Sequence, residues 1–296
     1  MSALTALIRR NTGLFFRDKG MFFTSLITPL ILLVLYGAFL SNVYEDIFRS
    51  ALAAANAEAP DALIGGCVGG QLTSSLLAVC CVTVAFCSNM LMVQDKVSGA
   101  RQDLILTSVR GSVLALGYYL STLISTLLVC GVALAASLLY VAGVGWYLSA
   151  GDVLGLLLAL FGTALSSLIN HFLSSQGQIS AVGTIVSAGY GFVCGAYMPV
   201  SQFSEGLQKA ISLLPGTYGT SLLRNHMLRG VFEEMDRQGF PEAVVEAIRD
   251  SVDCNLYFFG SPVSIPAMYG VVCGAVAALV IAYVVLNACG ARGKGR

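Results

Sequence analysis

Long stretches of this chain carry no charge at all: residues 62–94, 111–151 and 153–204, among others, contain no Asp, Glu, Lys or Arg. Apolar runs of about 20 residues span a bilayer as helices, because hydrocarbon cannot satisfy backbone N–H and C=O groups that a helix satisfies internally. Composition agrees. Hydrophobic residues make up 56% of the 296 and charged residues 11%, against about 25% charged in soluble domains. The expected fold class is all-α, a polytopic membrane protein with six transmembrane helices.

Residues 1–20 read as an amphipathic interfacial helix. Leu4, Leu7, Ile8, Asn11, Leu14 and Phe15 recur at three- and four-residue steps, with Arg9, Arg10 and Arg17 on the other side, facing water or lipid phosphate. The first span is expected over residues 21–40, bent at Pro29. The alternative, a cleaved signal peptide, fails on the length of this apolar run. A polar loop is expected over 45–61, and the second span over 62–92, with Gly65, Gly66, Gly69 and Gly70 at its start. The third span covers 111–144, with Trp146 and Tyr147 as interfacial anchors. The charge-free run 153–204 is two crossings, 153–173 and 179–198, hinged on the polar turn at 174–178. The last span is 263–289.

Residues 199–262 form the longest polar region. Phe203, Leu207, Ala210, Ile211 and Leu214 make an apolar stripe ended by Pro215-Gly216, and a second helix is expected over 217–230. Two short helices broken by Pro-Gly straight after a span suggest an outer re-entrant hairpin. A surface helix is expected over 243–252, starting near Pro241. The role of residues 231–253 is open.

Six spans place residues 1–20, 94–110 and 290–296 on one side, with ten basic and three acidic residues. The other side carries six basic and thirteen acidic. Lys and Arg in short loops face the cytoplasm, so both termini are expected there. No basic patch stands apart from the span ends, so nucleic acid is not an expected partner.

Between the first two charge-free runs lies a charged island, residues 94–110, QDKVSGARQDLILTSVR. Ionised side chains are costly in lipid, so this is a solvated loop between spans, or more sharply a docking element for a soluble partner.

Chemistry inside the membrane finds little support. His171 is the only His within a span, no Gly-x-Ser-x-Gly occurs, and no Ser is followed by a His in a later span, so a membrane-embedded protease is disfavoured. Every charged residue can be placed outside the hydrocarbon, which disfavours an ion-coupled carrier. No phosphate-binding Gly-x-x-x-x-Gly-Lys-Ser/Thr is present, and residues 290–295 are a basic tail. No Cys-x-x-Cys occurs among the nine cysteines, so no metal site is expected. Cys254, in a polar loop, could pair with Cys67 near a span end.

The order and spacing of several segments resemble the membrane subunits of ABC type-2 exporters across nearly the whole chain. These are the basic amphipathic start, then FRDK (16–19) and FFTSLITPL (22–30); the island DKVSGARQDLILTS (95–108); and GAYMPV (195–200) followed by LLPGTY (213–218). The resemblance implies one ABC type-2 transmembrane domain over residues 1–296, itself non-catalytic. It implies two ATPase subunits carrying ATP and Mg, and a second membrane subunit, identical or related. It also implies residence in the cell membrane.

The island then stands where the family has its coupling helix. Asp95, Lys96, Val97, Gly99, Arg101, Asp103, Leu104 and Thr107 are the coupling candidates, with Val97, Ala100 and Leu104 as an apolar strip for the ATPase. Pro199, Phe203, Leu207, Pro215 and Tyr218 match the outer hairpin. The substrate path would run between the two membrane subunits along spans two and five. The uncharged interior favours an amphiphilic or lipid-like cargo, such as a drug or peptide antibiotic. The competing reading is a secondary carrier or channel without an ATPase.

Overall fold

In a computed structural model, residues 2–54, 58–107, 109–141 and 158–293 are described. Helix α1 (Ala3–Arg17) starts where the Ser2 hydroxyl accepts the Thr5 N–H, and buries Leu7, Asn11 and Phe15, one per turn. Asp18 closes α1 through its own N–H to Leu14 and opens α2 (Lys19–Leu35) by accepting the Met21 N–H at 3.1 Å. One residue thereby sets the break between the amphipathic helix and the first apolar one.

The first apolar helix does not end at residue 40. A π-helical turn, Tyr36–Leu40, leads into α3 (Ser41–Ala54), so the expected loop over 45–61 is helical for much of its length. Tyr44, Phe48 and Leu52, four residues apart, are buried there, and their burial overrides the polar character of Glu45, Asp46 and Arg49.

Helix α4 (Asp61–Val97) is the axis of the fold, packed by α2, α3, α6 (Gly111–Val141), α7 (Leu158–Phe172), α8 (Gln176–Val193) and α10 (Pro215–Arg237). Its sequence shows no charge from Ala62 to Gln94, and apolar and small residues lie on every side of it, as a surrounded helix requires. Close approach is the rule on this axis. A Cβ on Gly162 of α7 (Leu158–Phe172) would stand 2.1 Å from the Cys81 carbonyl oxygen. A Cβ on Gly70 would meet the Leu228 side chain at 2.6 Å and the Met227 oxygen at 2.9 Å. Small residues let helix backbones pack at such distances.

After α5 (Ala100–Leu106), helix α6 (Gly111–Val141) runs back along α4. The expected anchors Trp146 and Tyr147, and the start of the span expected at 153, lie outside the described residues. The polar turn after α7 is as expected: the Ser175 hydroxyl caps α8 (Gln176–Val193) by accepting the Gln178 N–H. Among the described residues, four helices are long and apolar enough to cross a membrane, namely Lys19–Ala53, Asp61–Val97, Gly111–Leu139 and Ile265–Cys289; α7 is shorter.

Past α8, a 3-10 turn (Val200–Gln202) and α9 (Glu205–Ile211) lead into α10 (Pro215–Arg237). Pro215 opens α10 and fits its first turn, where no N–H is needed. The second helix of this region runs seven residues past the expected end at Gly230. Val231, Phe232 and Met235 continue its buried face. Helix α11 (Glu242–Ser251) follows Pro241 and buries Val244, Val245 and Ile248, in contact with α3. An unexpected β-hairpin joins β1 (Leu256–Phe258) to β2 (Ser261–Val263), Leu256 opposite Val263. Phe259 and Gly260 both have positive φ, as tight hairpin turns require. Helix α12 (Ile265–Gly293) closes the chain against α6, α7 and α10, with much of its surface exposed.

Candidate functional site

The last turn of α4 brings two adjacent charges to the end of the bundle and sends them in opposite directions. Asp95 is buried. Its Oδ2 accepts from Arg10 Nη1 at 2.7 Å and from the Tyr118 hydroxyl at 2.6 Å, while Oδ1 accepts from Arg10 Nη2 at 3.0 Å. This two-pronged pair fixes distance and orientation together. Asp95 raises the Arg10 guanidinium above its usual pKa, the hydrogen bond outweighing partial burial. Arg10 therefore leaves the basic face expected of α1. Arg9 and Arg17 remain exposed, flanking a shallow groove over Gly13.

Lys96 turns the other way. Its Nζ donates to the carbonyls of Asn170, His171 and Leu173, at 3.1, 2.5 and 3.1 Å. These carbonyls lie at and just past the C-terminal end of α7, where a cation is favoured. Gly99 then takes φ +86°, a left-handed turn that suits glycine and separates α4 from α5. On α5, Arg101 Nη2 donates to Asn287 Oδ1 of α12 at 2.9 Å. Leu104 is half-buried against the small core cluster that includes Leu7 and Tyr118, and the Thr107 hydroxyl donates to the Leu104 carbonyl.

The coupling candidates thus divide. Asp95, Lys96, Arg101 and Leu104 bind the island to α1, α7, α12 and the core. Val97, Asp103 and Thr107 are exposed, joined by Ile105 and by Leu106, which is 82% exposed. The expected apolar strip of Val97, Ala100 and Leu104 is redrawn: Val97 faces out, Leu104 does not, and Ile105 and Leu106 extend the exposed apolar face. A seven-residue helix has too few turns for spacing alone to show which side meets the core.

At the opposite end lies a constellation that sequence reasoning missed. Arg224 of α10 and Asp253, 1% and 3% exposed, are paired at 2.9 Å. Asp253, at φ +53°, also accepts the N–H groups of Val200 (2.5 Å) and Ser201 (3.3 Å), and Arg224 donates to the Gly195 carbonyl. With its amide oxygen turned inward, Gln71 of α4 accepts from Arg224 Nε and Nη2 at 3.2 Å each. A buried charge must be paired in this way. Burial raises the Asp253 pKa against the opposing pull of Arg224 and the two N–H groups.

The hairpin candidates gather here. Pro199 precedes the turn that Asp253 caps, Pro215 starts α10, and the Tyr218 hydroxyl donates to the Ser212 carbonyl at 2.6 Å. Phe203 accepts from Gln208 Nε2 through its carbonyl, and Leu207 is exposed on α9. Cys67 and Cys254 are both buried free thiols, and burial pushes Cys254 up to about 12. The one available signal for the ion pair was an Arg among Leu222, Leu223, Met227 and Leu228, an apolar setting that calls for a partner.

A helical bundle with four membrane-length apolar helices among the described residues, a clamped amphipathic helix and a charged turn at one end defines an all-α, polytopic membrane protein. The sequence pattern of the ABC-2 type transporter family matches residues 2–228, so the chain belongs to that family and is a permease subunit of an ABC transporter, a type that works with an ABC ATPase and a membrane subunit. No curated protein and no solved structure matches the chain.

Proposed function

We propose that the chain is the membrane half of an ATP-driven exporter in the cell membrane, with six spans and with α1, α5 and both termini cytoplasmic. Its partners would be two ATPase subunits, which hold ATP and Mg, and a second membrane subunit, identical or related. The observation that carries this reading is the end of α4. Arg10 and Asp95 join α1 to α4 one turn before α5, and Val97 at the end of α4 and Asp103, Ile105 and Leu106 of α5 are exposed. A partner that grips this face and moves on nucleotide closure would pull on α4, and through it on every helix packed around it. Positive charge in the short segments at this end supports its cytoplasmic placement.

The cargo proposed is amphiphilic or lipid-like, because the described helices offer an apolar, small-residue interior and no unpaired carboxylate on α4, α6 or α8. The outer hairpin, tied to α4 through Arg224 and Gln71, would form the exit side. Co-purification with an ATPase encoded beside it tests the assignment. We expect the pair to survive purification, and Asp103→Arg with Ile105→Glu to abolish ATP-coupled transport while the chain still folds. Normal transport by that double variant sinks the docking role of α5.

A further inference from the structure

Behind α5, between the start of α6 and the C-terminal ends of α7 and α12, lies a cavity of about 460 Å3. Lys96, Arg101 and His171 line it, and no Asp or Glu among the described residues does. Arg101 spends Nη2 on Asn287, but its buried Nε–H has no partner among the described residues, and the buried Nδ1 of His171 has none either. A buried donor left unpaired costs about 1–3 kcal/mol. Two cations around one cavity without a counter-ion repel, and more strongly where water is scarce. One anion in the cavity would relieve this repulsion.

The remaining wall is apolar. Ile105 and Leu106 close the α5 side, and Phe172 and Leu286 the α7 and α12 sides. Phe172 is 66% exposed and Leu286 36%, so this wall opens onto the outer surface of the bundle. A free phosphate has no use for such a wall. A molecule with an anionic head and an apolar body matches both halves. We infer that this cavity binds the phosphate headgroup of an acidic phospholipid, with Arg101 as the main headgroup contact and the acyl chains running past Phe172 and Leu286. The planar guanidinium suits phosphate oxygens. The inference needs only that the bundle sits in a bilayer, and not that an ATPase binds α5. Its consequence is that a lipid would bind α5 to α7 and α12.

Native mass spectrometry of the full-length chain in detergent tests this with phosphatidylglycerol, phosphatidylcholine and glycerol 3-phosphate as probes. We expect one phosphatidylglycerol to be retained, about tenfold tighter than phosphatidylcholine. Arg101→Gln should weaken it about tenfold, and so should Leu106→Glu, which sets a negative charge at a highly exposed edge of the cavity with little risk to folding. Arg17→Gln, an exposed cation on α1 outside the cavity, should leave it unchanged. Equal affinity for the two lipids overturns the proposal, as does an Arg17→Gln loss equal to that of Arg101→Gln, which would mean diffuse attraction. Displacement of phosphatidylglycerol by equimolar glycerol 3-phosphate would assign the cavity to a soluble phosphate and overturn the lipid. If Arg101→Gln does not fold, undiminished lipid affinity in Leu106→Glu overturns it alone.

Discussion

Replacing Asp95 by Asn keeps the shape of the side chain and removes its charge. The carboxylate receives three hydrogen bonds, at 2.6, 2.7 and 3.0 Å, two of them from a cation. A hydrogen bond to a charged group contributes about 1.5–3 kcal/mol and a neutral one about 0.5–1.5 kcal/mol. The Arg10 side chain is 32% exposed, so water recovers part of what it loses, whereas that of Asp95 is 7% exposed and recovers little. Asp95→Asn should therefore cost about 2 kcal/mol. Arg10→Met should cost about 3 kcal/mol, since it leaves a buried carboxylate with Tyr118 alone.

The double variant should cost less than the sum of the two, with a coupling of about 1–2 kcal/mol. Denaturant unfolding of the purified full-length chain, read by far-ultraviolet circular dichroism, measures all four corners of the cycle. Trypsin supplies a second readout: cleavage at Arg9 and Arg17 should speed up in both single variants as α1 lifts from α4. Costs that add to within about 0.5 kcal/mol, with unchanged cleavage, would refute the clamp.

The tight contact of α7 on α4 predicts that Gly162→Ala destabilises the chain by about 3 kcal/mol or blocks folding. Gly177→Ala, with nothing within 4 Å of the added carbon, should be near neutral in the same unfolding assay. Arg224→Met should cost about 3–5 kcal/mol by leaving Asp253 buried and unpaired. Adding Asp253→Asn should restore part of that stability; no restoration would mean that the pair does not act as a unit. Cys254, buried and with its thiol pushed up to about 12, should resist maleimide at pH 8 in the folded chain and react after unfolding in sodium dodecyl sulfate.

The helical membrane architecture was legible because lipid imposes one rule along the whole chain: charge-free runs become helices. The polar turn at Ser175 and the helix after Pro241 were legible for local reasons, a hydroxyl cap and a residue that lacks an N–H. What stayed hidden depended on contacts between distant segments. Asp95 reads as a solvated loop charge until Arg10, 85 positions earlier, is placed beside it. The α3 helix reads as a polar loop because Glu45, Asp46 and Arg49 outweigh Tyr44, Phe48 and Leu52 in composition, though not in burial. Arg224 and Asp253 were assigned to solvent by a rule that keeps charges out of lipid; burial inside protein is a different environment, where a partner suffices.

The π-helical turn at Tyr36–Leu40 changes how the first membrane helix can be read. Ahead of it the buried positions are Met21, Ser25, Pro29, Leu32 and Tyr36, in step with 3.6 residues per turn. Carried on unchanged, that rhythm would bury Leu40, then Val43 and Ile47. The buried residues are instead Tyr44, Phe48 and Leu52. One surplus residue has shifted the phase by about 100°, and the stacked rings of Tyr36 and Tyr44, 5.7 Å apart, stand on either side of the shift. The two halves of this helix are written in different frames. Deleting a single residue such as Ala38 would remove the surplus: the turn would close as ordinary α-helix, and Tyr44 and Phe48 would fall on the positions that the first frame buries.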